Sequence, residues 1–423
     1  MICIVGAGVT GLALARELAE RDVEHVVLEA ADRPGGVIRS ANVEGRVLDF
    51  GPQRLRLSGA LATLVRELGL ESEIVRAPEG LPLYVYAGGA LREVPFSLRA
   101  LATGDALTWR GKLRLAREPL TAGPRPGERV AGFFTRKLGR EAYERLAGPL
   151  FGGLYASDPA DMPVDLSLSG VLRDLGVRRS LLTRFARRTG VPAAACTFRN
   201  GVQALTDALH AAGAGSVRLG NAARRLERAG SAWMVECARD VIEARVVVLA
   251  CDAPAAAKLL AGPAPDAARR LAALAYNPLA VVHLEAGETG LSGLGYQVAF
   301  GENLATRGVT WNDSLFGGEI HAGRRGQYTA FLGGARMPSV VSEPDGRVGA
   351  IAAREFETVT GRPARVLSVS RTSMPAWDVT WGEVAQLSLP AGILAAGSWR
   401  SRPGVPGRLA EAAQIAYYLT SAG

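Results

Sequence analysis

The chain has 423 residues, 48% of them hydrophobic, enough for two or three domains with sizeable cores. Its 49 Lys+Arg against 41 Asp+Glu leave a formal charge of +8, spread thinly and without a basic run interleaved with aromatics. Nucleic acid is therefore disfavoured, and an acidic ligand or an anionic surface is the sharper reading of the excess.

No run approaches the ~20 apolar residues that span a bilayer, and the first residues already read ICIVGAG, with no signal or transit peptide expected. The cysteines (Cys3, Cys196, Cys237, Cys251) form no CxxC pair, and the histidines (His25, His210, His283, His321) form no ligand-like pair. Buried thiols in a reducing compartment and no metal centre are the expectation.

Taken in chain order, CIVGAGVTGLALARELAERDVEHVVLEAADRPGG comes first. A short apolar strand runs into Gly6-x-Gly8-x-x-Gly11. A helix follows with Leu12, Leu14, Ala15 and Leu18 inward, then a second strand ends at Glu29. Gly6 permits the tight turn, Gly8 lets backbone approach a pyrophosphate, and Gly11 lets helix and strand pack closely. The loop residues Ala7, Val9 and Thr10 offer N–H groups and the helix its positive end to the phosphates. Glu29, at the tip of the second strand, suits both ribose hydroxyls and would repel a 2′-phosphate, so NADP is disfavoured.

Next, LDFGPQRLRL (48–57) carries Gly51, Pro52, Gln53 and Arg54, and YVYAGGALREVP (84–95) reads as a hairpin turned at Gly88-Gly89. EPLTAGPRPGER (118–129) is the most linker-like stretch, after which Val130, Phe133, Phe134 and Leu138 recur at helical spacing. Residues 96–195 read as mainly helical, and 197–250 as helix and strand ending in ARVVVLACDAP, a buried parallel-strand pattern. Residues 278–335 read as strands with Gly-rich turns. The last forty read strand, Gly/Pro loop, helix, with Leu409, Ala412, Ala413 and Ala416 on one face and Pro406 in the first turn.

EAADRPGGVIRS matches the extended flavoprotein pattern E-x-x-x-R-x-G-G, which implies that Ala30, Arg33, Gly35, Gly36 and Val37 close over an FAD pyrophosphate. By the same likeness the 48–57 segment passes the isoalloxazine ring, and Ala223 contacts adenine through main chain. Trp381, Gly397, Gly404, Val405 and Pro406 then stand near the flavin, with the last helix aimed at its pyrimidine edge.

Beyond the cofactor, LYVYAGGALREVPFSLRAL resembles a segment of the protoporphyrinogen/coproporphyrinogen oxidase family, within the flavin amine oxidase superfamily. RVAGFFTRKLGREAYERLAGPLFGGLYASDPADM (129–162), FRNGVQALTDAL (198–209), LFGGEIHAGRRGQYTAFLGGAR (315–336) and MPAWDVTWGE (374–383) are similar to it in the same order. The resemblance implies an α/β fold: a discontinuous Rossmann-like FAD-binding domain (1–78, 198–256, 384–423), a mixed-sheet substrate domain (79–95, 257–383) and a helical insertion domain (96–197). It implies FAD-dependent oxidation of a porphyrinogen (protoporphyrinogen IX or coproporphyrinogen III) to the porphyrin in heme biosynthesis. Six electrons would leave in three flavin cycles, each reoxidised by O₂ to H₂O₂. Hydride leaves a meso carbon for flavin N5, so no catalytic side chain is demanded, and the protein supplies shape, apolar walls and propionate anchors. Position matching gives Leu83, Thr310, Trp311 and Phe331 as substrate-binding residues.

The chain departs from the pattern in places. Several members carry a substrate-anchoring Arg where this chain has Leu83, so Arg54, Arg56, Arg76 and Arg92 become candidates for the propionates. GSWRSRPGVPG replaces the usual C-terminal run, and Trp311 a usual Phe. An amine oxidase or desaturase, with Trp381 and Trp399 caging an amine, stays open, as does a flavin- or porphyrin-binding carrier without turnover. A cytoplasmic protein is expected, with peripheral attachment to the inner face of the cell membrane left open.

Overall fold

β1 (Ile2–Val5) is buried along its whole length, as the run ICIV demands, and it centres a five-stranded parallel sheet. The order is Val217–Arg218, β2 (His25–Leu28), β1, Val246–Leu249, Ile393–Ala395. One sheet thus draws strands from the beginning, the middle and the end of the chain, which makes this domain discontinuous. α1 (Val9–Ala19) and helix Val405–Ser421 pack together beside it, and Leu12, Leu14, Ala15 and Leu18 enter one core with Ala412, Ala416 and Leu419.

The computed structural model describes residues 1–174, 176–177, 179–186, 195–287, 290–317, 326–400 and 404–421. They divide into two compact units. Unit 1 is Met1–Ala77, Ala193–Leu274 and Glu383–Gly423; unit 2 is Pro78–Pro192 and Ala275–Gly382. Helices Ala253–Leu260 and Pro265–Ala272 belong to unit 1, although 257–383 reads from sequence as one substrate segment. The mainly helical stretch after residue 96 clusters with the mixed sheet rather than standing apart.

Unit 2 is built on a seven-stranded mixed sheet. Its order is Arg365–Pro375, Tyr276–Glu285, Gln327–Gly333, Thr306–Thr310, Gly295–Val298, Leu83–Ala87, Ala90–Glu93. Only the Gly295–Val298 and Leu83–Ala87 neighbours run parallel. The hairpin turns at Gly88 (φ 62°) and Gly89 (φ 74°), both left-handed, the geometry for which a two-glycine turn is selected. On one face Tyr86, Val282, Tyr296, Val309, Tyr328 and Ala330 form a core with Val348, Ala352 and Phe356 of helix Asp345–Thr360.

Two readings from the sequence shift. The linker-like stretch begins with a fully buried residue: Glu118 pairs with Lys137 at 2.6 Å, and neither is more than 1% exposed. The C-terminal helix turns Val405, Arg408, Ala412, Ala416 and Leu419 inward, while Leu409 and Ala413 lie at the edge of that face. The spacing of apolar residues missed Arg408 because its polar end is satisfied inside: it donates to the carbonyls of Gly397 (3.0 Å) and Ser398 (3.1 Å).

Candidate functional site

The nucleotide loop is held by backbone contacts that side chains would break. Gly6 takes φ 109°, and its N–H donates to the Leu28 carbonyl at 2.8 Å. A Cβ on Gly11 would lie 1.9 Å from the Gly6 carbonyl oxygen, so helix and loop touch only because Gly11 has none. A Cβ on Gly8 would meet nothing within 4 Å. Gly8 caps α1 without any side-chain hydrogen bond, and the first turn (Val9, Thr10, Gly11) contains no acid. Its free N–H groups and the positive helix end are therefore uncompensated, which fits a pyrophosphate.

Glu29 sits where the strand reading put it. Its carboxylate accepts from the Ala7 N–H (2.7 Å) and the Ala31 N–H (2.9 Å), which fixes the rotamer and leaves lone pairs for ribose hydroxyls. The 30–37 segment folds back onto the loop: Gly8 and Gly35 form a parallel bridge, and the Gly35 N–H donates to the Ala7 carbonyl at 2.8 Å. Gly36 (φ 58°) comes within 3.4 Å of the Gly8 Cα, measured from a Cβ built on it. Arg33 clamps the turn through the Gly36, Pro34 and Ile38 carbonyls. Ala30 is exposed beside it, and Val37, at 71% exposed, is an apolar side chain left for a ligand to cover.

Gly51 backs onto this turn. A Cβ there would lie 2.0 Å from the Val37 carbonyl oxygen. Pro52 follows, and Gln53 folds its amide onto the carbonyls of Asp49 and Gly51. Arg54 is solvent-accessible.

The sequence did not announce what supports this turn. Ser40 exchanges hydrogen bonds with Gln203, N–H to Oε1 at 2.9 Å and N–H to Oγ at 3.1 Å, and Asp49 accepts from the Val202 N–H at 2.9 Å. The FRNGVQAL element, legible only as a resemblance, thus braces the back of the flavin-type turn.

Ala223 opens strand Ala223–Ala229, just after Asn221, whose N–H donates to the Glu29 carbonyl at 2.8 Å. That links the expected adenine position to the ribose acid. Gly397, Gly404 (φ 105°), Val405 and Pro406 gather at the start of the C-terminal helix, joined by Arg408, and the helix has no acid in its first turn. Part of the C-terminal loop, 401–403, lies outside the described residues, as does 318–325 of the 315–336 segment.

Trp381 lies in unit 2, 2% exposed, its indole N–H on the Ala275 carbonyl at 3.2 Å and its ring stacked on Trp377 at 4.8 Å. Trp399 is wholly buried in unit 1, its indole N–H on the Cys251 carbonyl at 3.1 Å. Burial pushes the Cys251 thiol up to about 12, with Asp252 and Glu29 adding to it, so this thiol is no nucleophile at neutral pH. Among the described residues no group of three His, Cys, Asp or Glu could hold a metal.

In unit 2 the register sorts the expected substrate residues. Leu83, Gly295, Thr310 and Thr329 pair in one row across four strands, and Phe331 lies two residues beyond Thr329. Side chains alternate along a strand, so Leu83, Thr310 and Phe331 share one face of the sheet. All three are half-buried. Trp311 is not with them: it follows the strand, packs on Tyr84 (5.3 Å) and Tyr296 (6.4 Å) in the opposite-face core, and is 1% exposed.

A strand–glycine loop–helix–strand unit ending in a ribose-type acid, closed by an R-x-G-G turn, defines a dinucleotide-binding oxidoreductase of flavoprotein type. The family model for flavin containing amine oxidoreductase matches residues 9–403, and the chain belongs to that family; its cofactor is FAD. Its curated relatives include a chloroplastic protoporphyrinogen oxidase of Nicotiana tabacum, 26% identical over 85% of this chain and 72% of that one. A coproporphyrinogen III oxidase of Mycobacterium leprae is 28% identical over 74% of each chain. Among solved structures, a protein from Exiguobacterium provisionally assigned as a protoporphyrinogen oxidase superposes with a TM-score of 0.81 at 22% identity, over 100% of this chain and 99% of that one. A putrescine oxidase variant superposes at 0.76 with 18% identity over the same shares. At these identities the superpositions establish the fold.

Proposed function

We propose that this FAD-dependent oxidoreductase converts a porphyrinogen, protoporphyrinogen IX or coproporphyrinogen III, to the porphyrin in heme biosynthesis. The observation that carries the reading is the similarity, over most of the chain, to relatives named for those two reactions. Bound FAD would accept hydride equivalents in three two-electron cycles and return each pair to O₂ as H₂O₂.

The chain's own contribution is binding and orientation. Gly8, the first turn of α1 and the Gly35–Gly36 turn hold the phosphates, Glu29 the ribose, Ala223 the adenine, and Gly51 to Arg54 with Gly397 and Gly404 to Pro406 border the flavin. Leu83 and Phe331 offer an apolar wall and Thr310 a hydroxyl to the macrocycle. With Trp381 and Trp399 buried and their N–H groups bonded, neither presents a face for an amine cage.

The reading extends to location. Helix Trp109–Ala116 exposes Trp109 (68%) and Leu113 (55%) four residues apart, with the exposed Arg110 beside Trp109, and Leu120 nearby in sequence is 79% exposed. This face suits peripheral contact with an anionic membrane; among the described residues no helix is long and apolar enough to cross one.

The test is porphyrin fluorescence in air, with coproporphyrinogen III and protoporphyrinogen IX supplied separately against heat-killed protein. An enzyme-dependent rise on one of them is expected and chooses the substrate. No rise on either, with bound FAD verified by absorbance, overturns the reading.

A further inference from the structure

The C-terminal helix carries a charge on its inward face. Val405, Arg408, Ala412, Ala416 and Leu419 turn inward, and the four apolar ones join the core of unit 1. Arg408 is 7% exposed. Burying a guanidinium is costly, and an apolar side chain of similar volume often serves stability as well or better. Packing does not explain why this position holds an arginine.

The side chain is held in one place. Nη1 donates to the Gly397 carbonyl at 3.0 Å and Nη2 to the Ser398 carbonyl at 3.1 Å. Nη1 also pairs with Glu411, three residues along the helix, at 3.3 Å. The turn it grips is itself fixed. The Arg400 N–H donates to the Gly397 carbonyl at 3.0 Å. A Cβ on Gly397 would lie 2.1 Å from the Trp399 indole nitrogen and 2.5 Å from the Cys251 carbonyl oxygen, which accepts from that indole at 3.1 Å. Ala250 and Cys251 lie in turn against Gly6, where a Cβ would come within 3.0 and 3.1 Å of them. One run of contacts inside unit 1 thus joins the nucleotide loop to the turn that Arg408 holds.

The ion pair has a direction. Its cation is bonded to the Gly397–Ser398 turn, and its anion stands three residues further along a helix whose first turn holds no acid. The helix end adds potential of the same sign as the guanidinium, and burial weakens the screening of both.

We infer that the Arg408–Glu411 pair tunes the reduction potential of the flavin. Arg408 raises it by favouring the anionic reduced form, and Glu411 limits that effect. The inference rests on the reading that Gly397 and Gly404 to Pro406 border the flavin, and not on which molecule donates the electrons. Arg408 makes and breaks no bond; it acts through its charge.

The test is a redox titration of the FAD-loaded protein against reference dyes, with FAD content and melting temperature recorded for each variant. Arg408→Met should move the two-electron reduction equilibrium about tenfold toward oxidised flavin, a fall of about 30 mV. Arg408→Lys keeps the charge and should recover most of that shift. Glu411→Gln leaves the guanidinium uncompensated and should raise the potential. Opposite signs from the two halves of one pair mark a field. Loss of a mere structural latch would lower melting temperature or FAD content in both and leave the potential in place.

An unchanged potential in Arg408→Met and Glu411→Gln, or a shift of the same sign in both, overturns the inference. If Arg408→Met fails to hold FAD, Glu411→Gln decides alone: a raised potential supports the inference and a flat one overturns it. Pro406→Asp tests the placement beneath it. A lowered potential there, with the Arg408 and Glu411 variants flat, sinks the pair and keeps the helix start beside the flavin. No shift in any of the three removes that placement and the inference with it.

Discussion

Gly11 has no room for a methyl group: its Cβ would sit 1.9 Å from the Gly6 carbonyl oxygen, a backbone atom that cannot step aside. Gly11→Ala should therefore cost about 3 kcal/mol of stability and empty the protein of FAD, read by thermal melting and by the flavin-to-protein absorbance ratio. Glu29→Gln tests a different contact. The amide can still accept from the Ala7 N–H (2.7 Å in wild type), so the loop should hold, but the charged acceptor for ribose is gone. About a tenfold loss of FAD affinity with little change in melting temperature is expected, checked by titrating FAD into apoprotein. These positions were legible because glycine and acid at fixed spacing have few other uses. Trp311 was not: an aromatic matched by position alone carries no mark of which sheet face it will take, and the register sent it to the core with Tyr84 and Tyr296.

Lys137 and Glu118 tie the segment after helix Trp109–Ala116 to helix Val130–Leu138. Glu118 also accepts from the Ser180 hydroxyl and the N–H groups of Leu181 and Leu182. Burial alone would raise its pKa, but the bonds from Lys137, Ser180, Leu181 and Leu182 prevail and hold it below the ordinary value. A depressed folded pKa means the stabilisation is present above the unfolded Glu value and is lost as pH falls through the folded one. Glu118→Gln should strand the Lys137 charge, destabilise by about 3–5 kcal/mol, and flatten the acid limb of melting temperature against pH. Wild-type stability that did not fall with acid would contradict this. The periodicity of Val130, Phe133 and Phe134 predicted that helix, and Gly88-Gly89 predicted the hairpin. The buried pair escaped because a Glu next to a Pro-Gly-rich stretch reads as surface, and only the far-off partner at 137 gives it a reason to be inside.

The discontinuous α/β architecture could be anticipated because a parallel sheet needs buried apolar strands with crossovers between them, and ICIV, HVVL and VVVL are such strands. Where the units divide was less legible: helices Ala253–Leu260 and Pro265–Ala272 pack with unit 1, and nothing local in their sequence records that. The exposed Trp109 and Leu113 beside Arg110 predict cosedimentation with vesicles containing anionic lipid and not with neutral ones. Trp109→Ser/Leu113→Ser should lose that binding while retaining FAD. On the porphyrinogen reading a porphyrinogen, not an amine, delivers electrons to the flavin. Anaerobic mixing separates the two: coproporphyrinogen III or protoporphyrinogen IX should bleach the flavin absorbance, and putrescine or cyclohexylamine should leave it unchanged. Bleaching by an amine, with the porphyrinogens inert, would overturn that reading.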